Sequence, residues 1–89
     1  MEKKIADYAE TFDFVEKVFV RDNKEGYELI INFEGLLTEE KTKEIIESFK
    51  KMFCSHRIYF YKSEVDFKNG KSVLELNCVK KADWEIFYN

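Results

Sequence analysis

At 89 residues the chain is one domain's worth of sequence, and 45% hydrophobic and 17% aromatic residues suffice for a core without disulfides or metal. Its 37% charged fraction supplies a surface, and no apolar run approaches the ~18 residues that span a membrane. The net charge of −3 argues against a general nucleic-acid binder, whose electrostatic footprint should be basic.

That net charge hides an asymmetry. Residues 1–47 hold thirteen acids against seven bases, giving −6, and residues 48–89 hold five against eight, giving +3. The polar start Met1-Glu2-Lys3-Lys4 lacks a signal-peptide apolar segment. Two cysteines, Cys54 and Cys78, fit reduced thiols. The expected setting is cytoplasmic, with no membrane.

Ile5, Tyr8, Ala9, Phe12 and Val15 fit a helical face, whereas Phe12, Phe14, Val18 and Val20 fit an alternating strand. A short helix is therefore predicted over about Lys3 to Glu10, and a strand from about Phe14 to Arg21. Arg21 to Gly26 is a turn by composition, with Asn and Gly able to take positive φ. Next, Tyr27, Leu29, Ile31 and Phe33 alternate with Glu28, Ile30, Asn32 and Glu34, the pattern of a strand with one buried face. The two strands read as an antiparallel hairpin.

A central amphipathic helix follows from Thr38. Ile45, Ile46, Phe49, Met52 and Phe53 recur at helical spacing, and Thr38 suits the N-cap. Glu39 and Glu40 suit the positive end of the helix dipole, Lys50 and Lys51 the negative end.

A second hairpin turns at Asn69-Gly70, the preferred two-residue type I′ pair. Counting outward, Lys68 opposes Lys71, Val65 opposes Leu74, Ser63 opposes Leu76 and Tyr61 opposes Cys78. That count places Tyr59, Tyr61, Val65, Leu74, Leu76 and Cys78 on the core face. Ile58, Phe60, Lys62, Glu64, Asp66, Val73, Glu75, Asn77 and Val79 fall on the other, and a one-residue slip would swap every side chain. Trp84, Ile86 and Tyr88 suggest a fifth strand. No internal repeat or linker is visible. The expected fold is α+β: a single domain over 1–89, with an antiparallel sheet of about five strands packed on the central helix.

Chemical motifs are weak throughout. Cys54 and His56 stand two apart, and Cys78 could approach them, but structural zinc sites close with four ligands and a paired Cys element. As a thiol enzyme, Cys54 would need His56 within hydrogen-bond reach and a third group orienting the ring. Glu64 and Glu75 would sit opposite each other as like charges on a solvated sheet face. No phosphate loop, dinucleotide fingerprint or other cofactor motif is present. Arg57-Ile58-Tyr59-Phe60-Tyr61-Lys62 interleaves aromatics with bases, which suits single-stranded nucleic acid. Against that alternative, the register turns Tyr59 and Tyr61 inward.

The sequence therefore points to a small non-enzymatic binding or regulatory protein that acts through a protein partner or self-association. The expected interface is the apolar corner Ile58, Phe60 and Val79, beside Trp84 and Phe87. A more pointed version gives Glu39, Glu40, Glu44 and Glu47 an acidic helix face. With it the protein would occupy a partner's nucleic-acid-binding surface, in the manner of small phage-encoded inhibitors. Glu39–Lys43 and Glu47–Lys51 are also ordinary i, i+4 pairs, which weakens that reading.

Overall fold

In the computed structural model, which describes residues 1–81, six elements follow in order. They are α1 (Glu2–Ala9), β1 (Val15–Asp22), β2 (Gly26–Phe33), α2 (Glu39–Cys54), β3 (Ile58–Lys68) and β4 (Lys71–Lys80). The four strands form one antiparallel sheet in the order β1-β2-β4-β3. The chain is thus an αββ unit followed by another, their inner strands β2 and β4 meeting at the centre. This repetition lies in the topology and leaves no trace in the residues. The fifth strand expected over Trp84 to Tyr88 lies outside the described residues.

Both helices sit on the same face of the sheet. Ile5 and Ala9 of α1 join Ile45, Phe49 and Phe53 of α2 in one cluster with Tyr27, Leu29, Ile31, Phe33, Leu74, Leu76 and Cys78. The expected alternation of β2 holds, with Tyr27, Leu29, Ile31 and Phe33 all buried. Tyr8 ties the helices together. Its ring meets Phe49 and Phe53 edge-on at 5.1 and 5.7 Å, and its hydroxyl hydrogen-bonds that of Ser48.

α2 starts as its sequence requires, because the Thr38 hydroxyl accepts the Lys41 N–H at 3.0 Å. Its apolar face is narrower than the spacing suggested. Ile45, Phe49 and Phe53 point at the sheet four residues apart, Ile46 packs at the margin, and Met52 is 46% exposed. Met52 instead lines a groove with Lys4, Tyr8 and Thr11 of the neighbouring α1 segment.

The entry to α2 is held by a buried hydroxyl. Ser72, fully enclosed on β4, donates to the Gly35 carbonyl at 2.7 Å and accepts the Leu37 N–H at 2.8 Å. Both functions of this polar group are satisfied, which removes the cost of enclosing it.

Gly26 matters for space rather than for φ. A Cβ there would lie 1.8 Å from the Cys78 carbonyl oxygen, so only glycine lets β2 approach β4 at that end. The turn expected over Arg21 to Gly26 forms, without using the positive φ open to Asn and Gly. Asn23 instead closes the turn, its side-chain oxygen accepting the N–H groups of Glu25 and Gly26.

The second hairpin turns at Asn69 and Gly70 with φ of 53° and 75°, as the type I′ pattern requires. Lys68–Lys71, Val65–Leu74 and Ser63–Leu76 oppose each other as counted from that turn. The count then fails at Tyr61. A β-bulge makes Lys62 oppose Asn77 and Phe60 oppose Cys78, leaving Tyr61 as the extra residue. Every side chain before the bulge changes face, so Ile58 and Phe60 point inward with exposures of only 3% and 7%. Phe60 packs against Phe49 and Phe53 at ring-centre distances of 5.6 and 6.2 Å.

Candidate functional site

The corrected register dissolves the expected apolar corner. Ile58 and Phe60 belong to the core and are not available to a partner. Val79 remains on the side of the sheet away from the helices and is half-buried. Trp84 and Phe87 lie outside the described residues.

In place of the corner stands the whole outer face of the sheet. Pairing places Phe19, Ile30, Glu75 and Glu64 in one row across the four strands, and Arg21, Glu28, Asn77 and Lys62 in the next. Among the described residues neither helix covers these rows. Phe19 is 53% exposed and Tyr61, lifted out at the bulge, is 66% exposed. Tyr59 stands on the same side, with the Lys81 ammonium 5.9 Å from its ring centre.

The charges of this face form a mixed set. Arg21 approaches Glu28 at 3.9 Å and Lys62 approaches Glu64 at 3.5 Å. Glu75 faces Glu64 directly, as the hairpin count predicted. Burial within the sheet pushes the Glu75 carboxyl above its ordinary range. A hydrogen bond with Glu28 and the charges of Glu28 and Glu64 push it further, and Lys62 partly offsets them. The centre of the face is therefore electronegative, which disfavours a bound phosphodiester strand. The objection that Tyr59 and Tyr61 face inward no longer applies, so the acids alone carry the case against nucleic acid.

The acidic helix face is largely neutralised by its own lysines. Glu39 pairs with Lys43 at 3.6 Å, Glu44 with Lys41 at 3.5 Å, and Glu47 with Lys50 at 3.6 Å. Glu40 shares the first turn with Glu39. Of the two i, i+4 pairs expected, Glu39–Lys43 forms; Glu47 turns to Lys50 instead of Lys51. Nothing in this arrangement leaves an uninterrupted acidic strip.

Cys54 ends α2, and the next residues continue as a helical turn in which Arg57 N–H bonds back to the Cys54 carbonyl. The extended segment that would align Cys54 with His56 does not exist there, and residues two apart on a helical path point in different directions. The His56 ring lies near Phe53 at 6.0 Å. Cys78 is buried on β4, where its thiol donates to the Tyr27 carbonyl at 3.5 Å. Burial raises its pKa, and the charge of Lys80 pulls the other way without cancelling the effect. That keeps the thiol protonated and poorly nucleophilic. Among the described residues no group of three or more His, Cys, Asp or Glu side chains could hold a metal ion.

No helix among the described residues is long and apolar enough to cross a membrane. Comparison with protein-family models, with curated proteins and with solved structures finds no match to this chain.

Proposed function

We propose that the chain is a non-enzymatic binding protein that works by protein–protein contact, with the outer face of the sheet as its contact surface. The observation that carries this reading is the pair of large aromatics, Phe19 and Tyr61, more than half exposed on the face opposite both helices. Large exposed aromatics bounded by polar residues are the usual anchors of an interface. The ion pairs Arg21–Glu28 and Lys62–Glu64 on the same face supply charges of both signs. This suits a protein surface better than a uniformly anionic strand. A cytoplasmic setting agrees with the free thiols of Cys54 and Cys78.

The test is affinity capture from the native host, comparing the unaltered chain with a Phe19→Asp, Tyr61→Asp double variant, alongside sedimentation of each protein alone. Expected is a partner, or a self-associated species, that the double variant loses while its circular dichroism stays unchanged. A strictly monomeric chain that captures nothing would overturn the reading, as would a partner held equally well by the double variant.

A further inference from the structure

At the turn end of the outer face, Lys17, Lys68 and Lys71 surround an open depression of about 520 Å³, with Asn32, Asn69 and Glu16 also lining it. Three lysines against one glutamate give this spot a local charge of +2 on a chain whose net charge is −3. The lysines come from three strands, Lys68 and Lys71 from the two sides of one turn and Lys17 from the opposite edge of the sheet. Lys68 and Lys71 oppose each other across the Asn69-Gly70 turn, a placement of like charges that destabilises a hairpin. Lys17 arrives through an irregularity in β1, where pairing jumps from Val15–Phe33 to Lys17–Asn32 and leaves Glu16 as the extra residue.

Glu16 offsets only one of the three charges. Its carboxylate takes Lys71 at 3.0 Å, and among the described residues Lys17 and Lys68 have no ion-pair partner. Two lysines without an ion-pair partner among the described residues, and two asparagines, thus line one depression.

We propose that this depression is an anion site for a phosphate-type dianion, a ligand class that goes beyond the protein-contact reading and does not depend on it. The charge of a phosphoryl group near neutral pH, about −1.5 to −2, matches the local +2. Lysine ammonium groups act on phosphate as point charges from several directions and need no planar fork. The Asn32 and Asn69 amides can donate to the oxygens left over. The mouth is open, so the phosphoryl group can belong to free phosphate or to a phosphomonoester on a larger molecule.

The experiment is an NMR titration of the isotope-labelled full chain with inorganic phosphate and, separately, with O-phosphoserine, at fixed ionic strength and with chloride as the control. Expected are saturable shifts of the Lys17, Asn32, Asn69 and Gly70 amides that chloride does not reproduce. A Lys17→Ala, Lys68→Ala double variant should bind about tenfold more weakly, because it loses both uncompensated charges. Glu16→Gln should bind more tightly, because it removes the competing carboxylate. Equal affinity for both ligands assigns recognition to the phosphoryl group alone, and preference for O-phosphoserine assigns it to a phosphorylated amino acid. Shifts matched by chloride, or an affinity unchanged in the lysine double variant, would overturn the proposal. The readout uses the chain alone, so its failure leaves the protein-contact reading standing, and loss of that reading leaves this one.

Discussion

The two faces of the sheet are built from alternate residues of the same four strands, yet they follow different rules. Toward the helices, Leu29, Ile31, Leu74 and Leu76 have no exposure, and the enclosed polar Ser72 has both its hydrogen-bonding functions filled. Away from them, Phe19 and Ile30 share a row with Glu75 and Glu64, and the ion pairs Arg21–Glu28 and Lys62–Glu64 span 3.9 and 3.5 Å. Exposed pairs of that kind contribute about 0–1 kcal/mol each. Stability therefore resides mainly on the face toward the helices.

Matched truncations give the largest contrast. Phe49→Ala removes a fully enclosed ring that touches Tyr8, Phe12, Phe53 and Phe60, and should cost about 3–5 kcal/mol in urea unfolding. Phe19→Ala, on the outer face, should stay within about 0.5 kcal/mol of the unaltered chain. Comparable losses from the two would erase the distinction between the faces.

The bulge decides which residues belong to which face, and deleting Tyr61 tests it. With the bulge present, deletion restores one-to-one pairing and keeps Ile58 and Phe60 inward; the expected cost is about 1 kcal/mol. Contacts between the Phe60 and Phe49 rings, now 5.6 Å apart, should persist as nuclear Overhauser effects. In a strand without the bulge Phe60 would face outward in the unaltered chain, and the same deletion would turn it inward. Phe60–Phe49 effects absent from the unaltered chain and appearing only on deletion would refute the register.

Why the bulge escapes a sequence reading is itself physical. Ile58-Tyr59-Phe60-Tyr61 is apolar at every position, so alternation cannot say which pair faces the core. The turn residues fix register only as far as pairing stays regular. By contrast, β2 alternates cleanly, Thr38 precedes a periodic run, and Asn69-Gly70 prescribes its own backbone; these features were legible, and the structure contains all three. The Gly26 requirement was not, because the Cys78 carbonyl that excludes a side chain lies 52 residues away. The proposed contact surface was the least legible. Phe19 could have been found, since it alternates with the inward Val18 and Val20, and its partner Ile30 alternates with Leu29 and Ile31. Tyr61 could not, for its exposure depends on the bulge alone.

The smallest effect concerns Glu75 and sharpens the electrostatic side of the contrast. Its carboxyl in the fold titrates above the ordinary value of 4.5, through burial first and then through Glu28 and Glu64. Between those two pH values the folded chain holds a proton that the unfolded chain has released. Its contribution therefore favours folding at low pH and is lost as pH rises from about 4.5 through the raised value. Other carboxylates contribute slopes of their own, so the informative quantity is the difference between the unaltered chain and Glu75→Gln. That variant cannot ionise at this position, and its melting temperature relative to the unaltered chain should rise between pH 4 and pH 7. Lys62→Met should enlarge the effect, because Lys62 is the cation that lowers the Glu75 pKa. A pH-independent difference for Glu75→Gln would mean that the outer face holds Glu75 no differently from water, and that its centre carries no electronegative focus.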